Sequence, residues 1–314
     1  MSCSSEVRLE LLRDVPTDEC CARAQFAALL FTTGGITVRG AGRYSAFLCS
    51  EQAAVARSAF EWVARHAGLE PEVQSSSSAR LGGRVRYRLT FDEEQTSRLL
   101  TWLELLDPTA PFGLRQSPPI SLYRKACCAR AYARGAFLGC GAMSPPEKAY
   151  HLEFALPDER QATLITRLLA RRKIDTKTVE RKNRHVVYMK DGERIFELLR
   201  WLGAHRALLA LENARILKQV RNSVNRQVNC DARNLESALG AAQRQLDAIR
   251  FIRDRAGLDS LPGPLRQIAL LRLEYEEASL SELGELLEPP LGKSGVNNRL
   301  RRLCALADGM REKS

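Results

Sequence analysis

The sequence predicts an α+β protein: a pseudo-twofold duplicated αββαββα domain followed by an all-α helix-turn-helix domain. Three observations predict it. First, Cys20-Cys21-Ala22-Arg23-Ala24 returns as Cys127-Cys128-Ala129-Arg130-Ala131, Gly34 falls on Gly141 at the same offset, and Leu99-Leu100-Thr101-Trp102-Leu103 is echoed by Leu198-Leu199-Arg200-Trp201-Leu202. Second, between those marks helical and strand patterns alternate in the same order in both copies. Third, the last part of the chain holds helical patterns alone, punctuated by Gly and Pro. A length of 314 residues fits about two domains.

Each copy opens with a helix of small residues, at about 18–32 and 125–139. A Gly then lets the chain turn sharply into two strands, at about 36–49 and 142–155. Gly40-Ala41-Gly42 marks the first hairpin turn and Ser144-Pro145-Pro146-Glu147-Lys148 the second. An amphipathic helix follows at about 51–67 and 158–172, with Val55, Ala59 and Trp62, or Leu164, Leu168 and Leu169, facing the core. Two more strands end at Val85–Leu89 and Val186–Met189, and a last helix carries the shared Trp. Ser75-Ser76-Ser77-Ser78 reads as a flexible hairpin tip, and Lys182-Asn183-Arg184 as its basic counterpart.

The duplicated domain is expected over 1–207, with halves at about 15–106 and 125–207. Residues 208–230 read as a linker. A helical pattern covers 205–219, and Arg221 to Cys230, with three Asn, two Arg and no helical apolar stripe, reads as an ordered but irregular connector. The helical domain fills 231–314. Its first helix, at about 231–256, turns Leu235, Leu239, Leu246 and Ile249 inward and stops at Gly257. A second, at about 264–275, has Pro264 in its first turn. Ser279-Leu280-Ser281-Glu282 is a capping box, and Glu288-Pro289-Pro290-Leu291-Gly292 ends the helix it starts. Ser294 reads as the N-cap of the last helix, which places the helix-turn-helix at about 279–311.

Composition narrows the function. Hydrophobic residues are 45% and charged residues 27%, which excludes wholesale disorder. No run of about 18 apolar residues and no signal-peptide pattern occurs, so neither a membrane span nor secretion is expected. Nine cysteines, an odd number without CxxC spacing, read as separate buried thiols rather than a disulfide framework or zinc ribbon.

The net charge of +11 points to an anionic partner, and its placement is more informative. Residues 165–226 hold 16 Lys/Arg and 6 Asp/Glu, a net of +10. Residues 264–286 carry a net of −3 and residues 287–314 a net of +3. Val296, Leu300 and Leu303 form one stripe of the last helix. Ser294, Asn298, Arg301 and Arg302 lie opposite, with Asn297 at the edge. A basic, Asn-rich second helix after a short turn is how major-groove readers are built. Lys293, Ser294, Asn297, Asn298, Arg299, Arg301 and Arg302 are the expected DNA-binding set of this helix. Arg221, Asn222, Asn225 and Arg226 of the linker, with Arg181, Lys182 and Arg184 of the hairpin, are expected to hold phosphates.

The two small-residue helices, Phe26 to Gly34 and Ala133 to Gly141, resemble the central helices of the LAGLIDADG homing endonucleases. In that family the acid at the eighth motif position binds the catalytic metal; the matching residues here are Thr33 and Cys140. A hydroxyl and a thiol do not replace hard carboxylate ligands, so the resemblance implies a degenerate site without cleavage. Asp18, Glu19, Glu147 and Glu153 lie off the helix ends, and His66, His151, His185 and His205 are scattered. No catalytic residue, cofactor or metal is expected.

Three segments are distinctive: CCARAYARGAFLGCGAMSPPEKAYHLEF, GAHRALLALENARILKQVRNSVNRQVNCD and ASLSELGELLEPPLGKSGVNNRLRRL. They resemble the bacterial WhiA family of DNA-binding regulators along essentially the whole chain. The resemblance implies a sequence-specific, non-catalytic transcriptional regulator tied to sporulation, or to cell division and chromosome segregation. Its expected partner is double-stranded DNA, with an RNA polymerase sigma factor or a second regulator as further candidates, and it is expected as a monomer. The competing readings are an active LAGLIDADG endonuclease and a sigma-associated adaptor that binds mainly protein.

Overall fold

In the computed structural model, residues 2–40, 42–77, 85–146 and 148–312 are described. They form two compact units, 1–218 and 219–314. No helix among the described residues is long and apolar enough to cross a membrane.

The first unit opens on α1 (Cys3–Arg13), which the sequence reading did not foresee. It buries only Val7 and Leu11, too few apolar positions to declare a helix by periodicity. The duplication then unfolds as expected. The first copy is α2 (Glu19–Thr33), β1 (Gly34–Val38), β2 (Tyr44–Ser50), α3 (Ala53–Ala67), β3 (Glu72–Ser77), β4 (Val85–Phe91) and α4 (Glu93–Trp102). The second is α5 (Ala126–Cys140), β5 (Gly141–Met143), β6 (Leu152–Leu156), α6 (Glu159–Ala170), β7 (Lys177–Arg181), β8 (Arg184–Met189) and α7 (Gly192–Leu202). Each copy makes one antiparallel sheet, in the orders β1-β2-β4-β3 and β5-β6-β8-β7.

The strand alternation sets which residues face the helices. Leu48, Leu89 and Phe91, and in the second copy Leu152, Phe154 and Val187, are fully buried. The other face carries Phe47, Arg86 and Arg88, with Arg88 stacked 3.8 Å above the Phe47 ring. The serine run departs from expectation: Ser75, Ser76 and Ser77 end β3, paired with Tyr87, Arg86 and Val85. As an edge strand facing water on both sides, β3 needs no apolar side chains, and the good strand formers opposite carry the ladder. Ser78, and the tip expected there, lie outside the described residues.

The connector is also corrected. A single helix, α8 (His205–Ala256), replaces the irregular linker, and the boundary between the two units falls inside it. No Pro and only Gly240 interrupt these 52 residues, so every backbone bond can form. Ile216, Val220, Val224 and Val228 repeat every fourth residue, an exposed apolar stripe that the reading missed. Its N-terminus is capped by Glu10 of α1, whose carboxylate accepts from the Arg206 and Ala207 amides at 2.6 and 3.0 Å.

In the second unit, α9 (Gly263–Glu274), α10 (Leu280–Glu285) and α11 (Lys293–Arg311) pack on the last turns of α8. Leu246 and Ile249 are buried as expected, but Leu235 and Leu239 are 62% and 60% exposed. The short helices cover α8 only from Gln245 onward, which leaves the turns around Leu235 and Leu239 in solvent. The capping box at Ser279 and Glu282 is present, and Gly257 ends α8 at φ 76°.

Candidate nucleic-acid interface

The turn between α10 and α11 positions the expected reading helix. Leu291 N–H donates to the Gly284 carbonyl at 2.9 Å, and a Cβ on Gly284 would lie 2.1 Å from the Leu291 oxygen. Only Gly therefore permits this approach. Arg272, 2% exposed, donates to the Ala278 carbonyl at 2.6 Å and ties the end of α9 to the start of α10. Burial lowers the pKa of its guanidinium.

Helix α11 starts one residue before the expected N-cap. The Gly292 carbonyl accepts the Gly295 and Val296 amides, so Gly292 is the N-cap and Ser294 lies in the first turn. Val296, Leu300 and Leu303 are fully buried, and Ser294, Asn298, Arg301 and Arg302 are exposed, as read from the sequence. Lys293 is exposed, while Asn297 and Arg299 are half-buried at the edges. One helix thus offers hydrogen-bonding side chains on a face held rigid from behind.

The basic hairpin is ordered. Lys182 and Asn183 have φ of 49° and 58°, so a two-residue turn of the mirror type joins β7 to β8 at the pair Arg181–Arg184. Arg181, Lys182 and Arg184 are exposed. On α8, Asn222, Asn225 and Arg226 line a shallow groove with Gln219 and Asn229. Arg221 does not join them; at about 100° per residue it sits on the helix flank, round from the centre of that row.

The two small-residue helices pair closely. A Cβ on Gly135 would lie 2.1 Å from the Gln25 carbonyl oxygen, and one on Gly139 would lie 2.2 Å from Thr32 Oγ1. Their C-terminal ends open into a cleft of about 810 Å³ lined by Thr33, Cys140, Arg8, Arg86, Arg184 and Glu51, among others. Thr33 Oγ1 donates to the Leu29 carbonyl and Cys140 Sγ to that of Ala136, so both are turned back on their own helices. Desolvation pushes the Cys140 thiol up to about 12. Arg8 of α1 donates to the Phe137 and Gly141 carbonyls at 3.4 and 2.5 Å, a fixed cation at the negative end of α5. Desolvation lowers its pKa. Three guanidinium groups against one carboxylate make this end repulsive to a divalent cation.

The opposite end was not foreseen. Cys20 and Cys21 lie in the first turn of α2 just as Cys127 and Cys128 lie in the first turn of α5. The helices run parallel, and all four Sγ atoms lie within 4.8 Å of one another. The reading of the cysteines as separate buried thiols is corrected here: of these four only Cys128 is buried, and Cys127 is exposed. Burial pushes the Cys128 thiol up to about 12. Spacing rules search for ligands near in sequence, whereas these come from two copies of one element. The available signal was the duplicated Cys-Cys pair itself, combined with the expected pairing of the helices that carry it. Among the described residues the histidines form no such group; the His151 ring lies 2.9 Å from the Glu153 carboxylate and beside the Tyr188 ring.

Three family models match the chain in succession. They are the WhiA N-terminal LAGLIDADG-like domain over residues 19–106, the WhiA LAGLIDADG-like domain over 129–221 and the WhiA C-terminal HTH domain over 224–307. "Probable cell division protein WhiA" of Alkaliphilus metalliredigens is 40% identical, with 100% of each chain covered. The protein of the same name from Heliobacterium modesticaldum is 41% identical, covering 98% of this chain and 96% of the relative. Full-length WhiA from Thermotoga maritima shares the fold, with a TM-score of 0.59 and 23% identity over 98% of both chains.

Proposed function

Because the chain belongs to the WhiA family, we propose that it is a sequence-specific DNA-binding regulator without enzymatic activity. It contains the family's helix-turn-helix and LAGLIDADG-type domains. Its proposed role lies in cell division and chromosome segregation or in sporulation-specific transcription. It acts as a cytoplasmic, nucleoid-associated monomer, alone or with a sigma factor or second regulator.

The observation that carries this reading is α11. Its exposed Asn298, Arg301 and Arg302 stand on a helix whose other face is fully buried, behind a tight, glycine-dependent turn. Arg pairs in bidentate fashion with guanine and Asn with adenine in the major groove. Residues 279–311 supply base contacts. Asn222, Asn225 and Arg226 on one row of α8, with Arg221 on its flank, and Arg181, Lys182 and Arg184 at the hairpin supply phosphate contacts.

Non-catalysis is supported by the helix-end cleft. Phosphodiester hydrolysis with a divalent metal needs hard, preferably charged, oxygen ligands at the metal. Thr33, Cys140 and the guanidinium of Arg8 stand there instead.

The test is a salt-controlled binding series with specific and scrambled duplexes. Arg301→Ala is expected to lose about 1–3 kcal/mol on the specific site alone. Unchanged site selectivity would remove α11 from the groove. Magnesium-dependent cutting of supercoiled plasmid by the wild-type protein would overturn the non-catalytic reading. Undetectable DNA affinity at low salt with tight sigma-factor binding would favour the adaptor.

A further inference from the structure

We propose that Cys20, Cys21, Cys127 and Cys128 hold one tetrahedral zinc ion that joins the two halves of the duplicated domain. Two independent features meet there. The first is the donor set: four Sγ atoms lie within 4.8 Å of one another, with Cys127 and Cys128 at 3.8 Å. A tetrahedral zinc with Zn–S bonds of about 2.3 Å has sulfur–sulfur edges of about 3.8 Å. Closing the site therefore takes small side-chain adjustments on a backbone that the helix pair already fixes.

The second is the scaffold. Gly135 brings α5 against the Gln25 carbonyl of α2, so both Cys-Cys pairs are delivered to one end of a rigid, parallel pair. Each cysteine is the second or third residue of its helix. A four-thiolate zinc centre carries a net charge of −2, and two helix N-termini oppose it with their positive ends. On binding, four S–H bonds are exchanged for four Zn–S bonds and four protons go to solvent, with no change of oxidation state.

The choice of cation follows from donor type and space. Soft thiolates select zinc over magnesium or calcium. Sulfurs this close leave room for one ion at their centre, not for several irons with bridging sulfides. Cys127 is exposed and Cys128 buried, so the site has an entry side and a closed side. The proposed role is structural: four protein ligands leave no open position for chemistry. The ion clips residues 20–21 to 127–128, where two copies of one element meet.

The experiment uses the full chain, purified without chelators. Elemental analysis is expected to give one zinc per chain, released when a mercurial blocks the thiols. Cobalt substitution of the wild-type protein should give the visible spectrum of a tetrahedral all-thiolate centre. C21S/C127S removes one ligand from each half and should abolish both signals, while C230S and C304S keep them. If C21S/C127S does not fold, the wild-type cobalt spectrum and the mercurial release still decide. Less than a tenth of an equivalent of zinc with no cobalt spectrum would overturn the proposal. So would zinc retained by C21S/C127S, or a native disulfide linking the two pairs.

Discussion

The two ends of the α2–α5 pair have opposite chemistry on one scaffold. At the N-terminal end, the copies contribute the same residues, and four thiols converge. At the C-terminal end they contribute a threonine and a cysteine turned back on their own helices, beside Arg8. A duplicated fold brings equivalent positions together at both ends. What each end can bind is then decided by side chains alone: soft donors at one, fixed positive charge at the other.

The largest expected effect breaks both ends together. Gly135→Ala puts a methyl into the Gln25 carbonyl and should cost about 3 kcal/mol through overpacking. Urea unfolding would read it as a lower midpoint, and zinc content should fall with it. An unchanged midpoint would mean that the helices are not held at this distance.

Arg8→Met separates the ends. Loss of the charged hydrogen bonds to Phe137 and Gly141 should cost about 2 kcal/mol and leave the thiols untouched. T33D/C140D should gain magnesium affinity by titration calorimetry only when combined with Arg8→Met. Equal affinity with Arg8 in place would show that the guanidinium does not exclude the cation.

A smaller, pH-dependent effect arises midway along α5. The hydrogen bond from Arg134 holds the Asp14 carboxyl below its usual range. Its contribution to stability is therefore complete above the ordinary carboxylate pKa of about 3.9 and is lost as pH falls through the lower folded value. Thermal melts of Asp14→Asn and wild type should converge in that acid range. A gap that persists unchanged would remove Asp14 from the titration.

The smallest effect concerns the sheet on the Arg8 side, whose Arg184 lines the cleft. Lys182→Ala should weaken specific and scrambled DNA equally and lower the salt-dependence slope by about 1. Specific loss would make Lys182 a base reader.

What was legible in the sequence was periodic. The helical stripes marked Val55, Ala59 and Trp62, and Leu168 and Leu169, as core, and the stripe of Val296, Leu300 and Leu303 oriented α11 correctly. The duplicated Cys-Cys and Trp marks set the order of the first unit. Helix α1 was hidden because two inward residues make no pattern. The long helix was hidden because its β-branched stripe and polar Asn–Arg run resemble a loop in composition, though neither stops a helix. Arg8 and the thiol cluster arise from contacts across more than 100 residues, which spacing along one segment does not register.

The close approach at Gly284 has a consequence for altering what α11 recognises. Because the turn tolerates no Cβ there, the helix has little freedom to be re-aimed by substitutions in the turn. New preferences are therefore reachable by exchanging the outward side chains, one contact at a time. A wholesale change of docking angle would require rebuilding the turn from Gly284 to Leu291. The recognition surface is thus a fixed keyboard: its keys can be swapped while its tilt stays set.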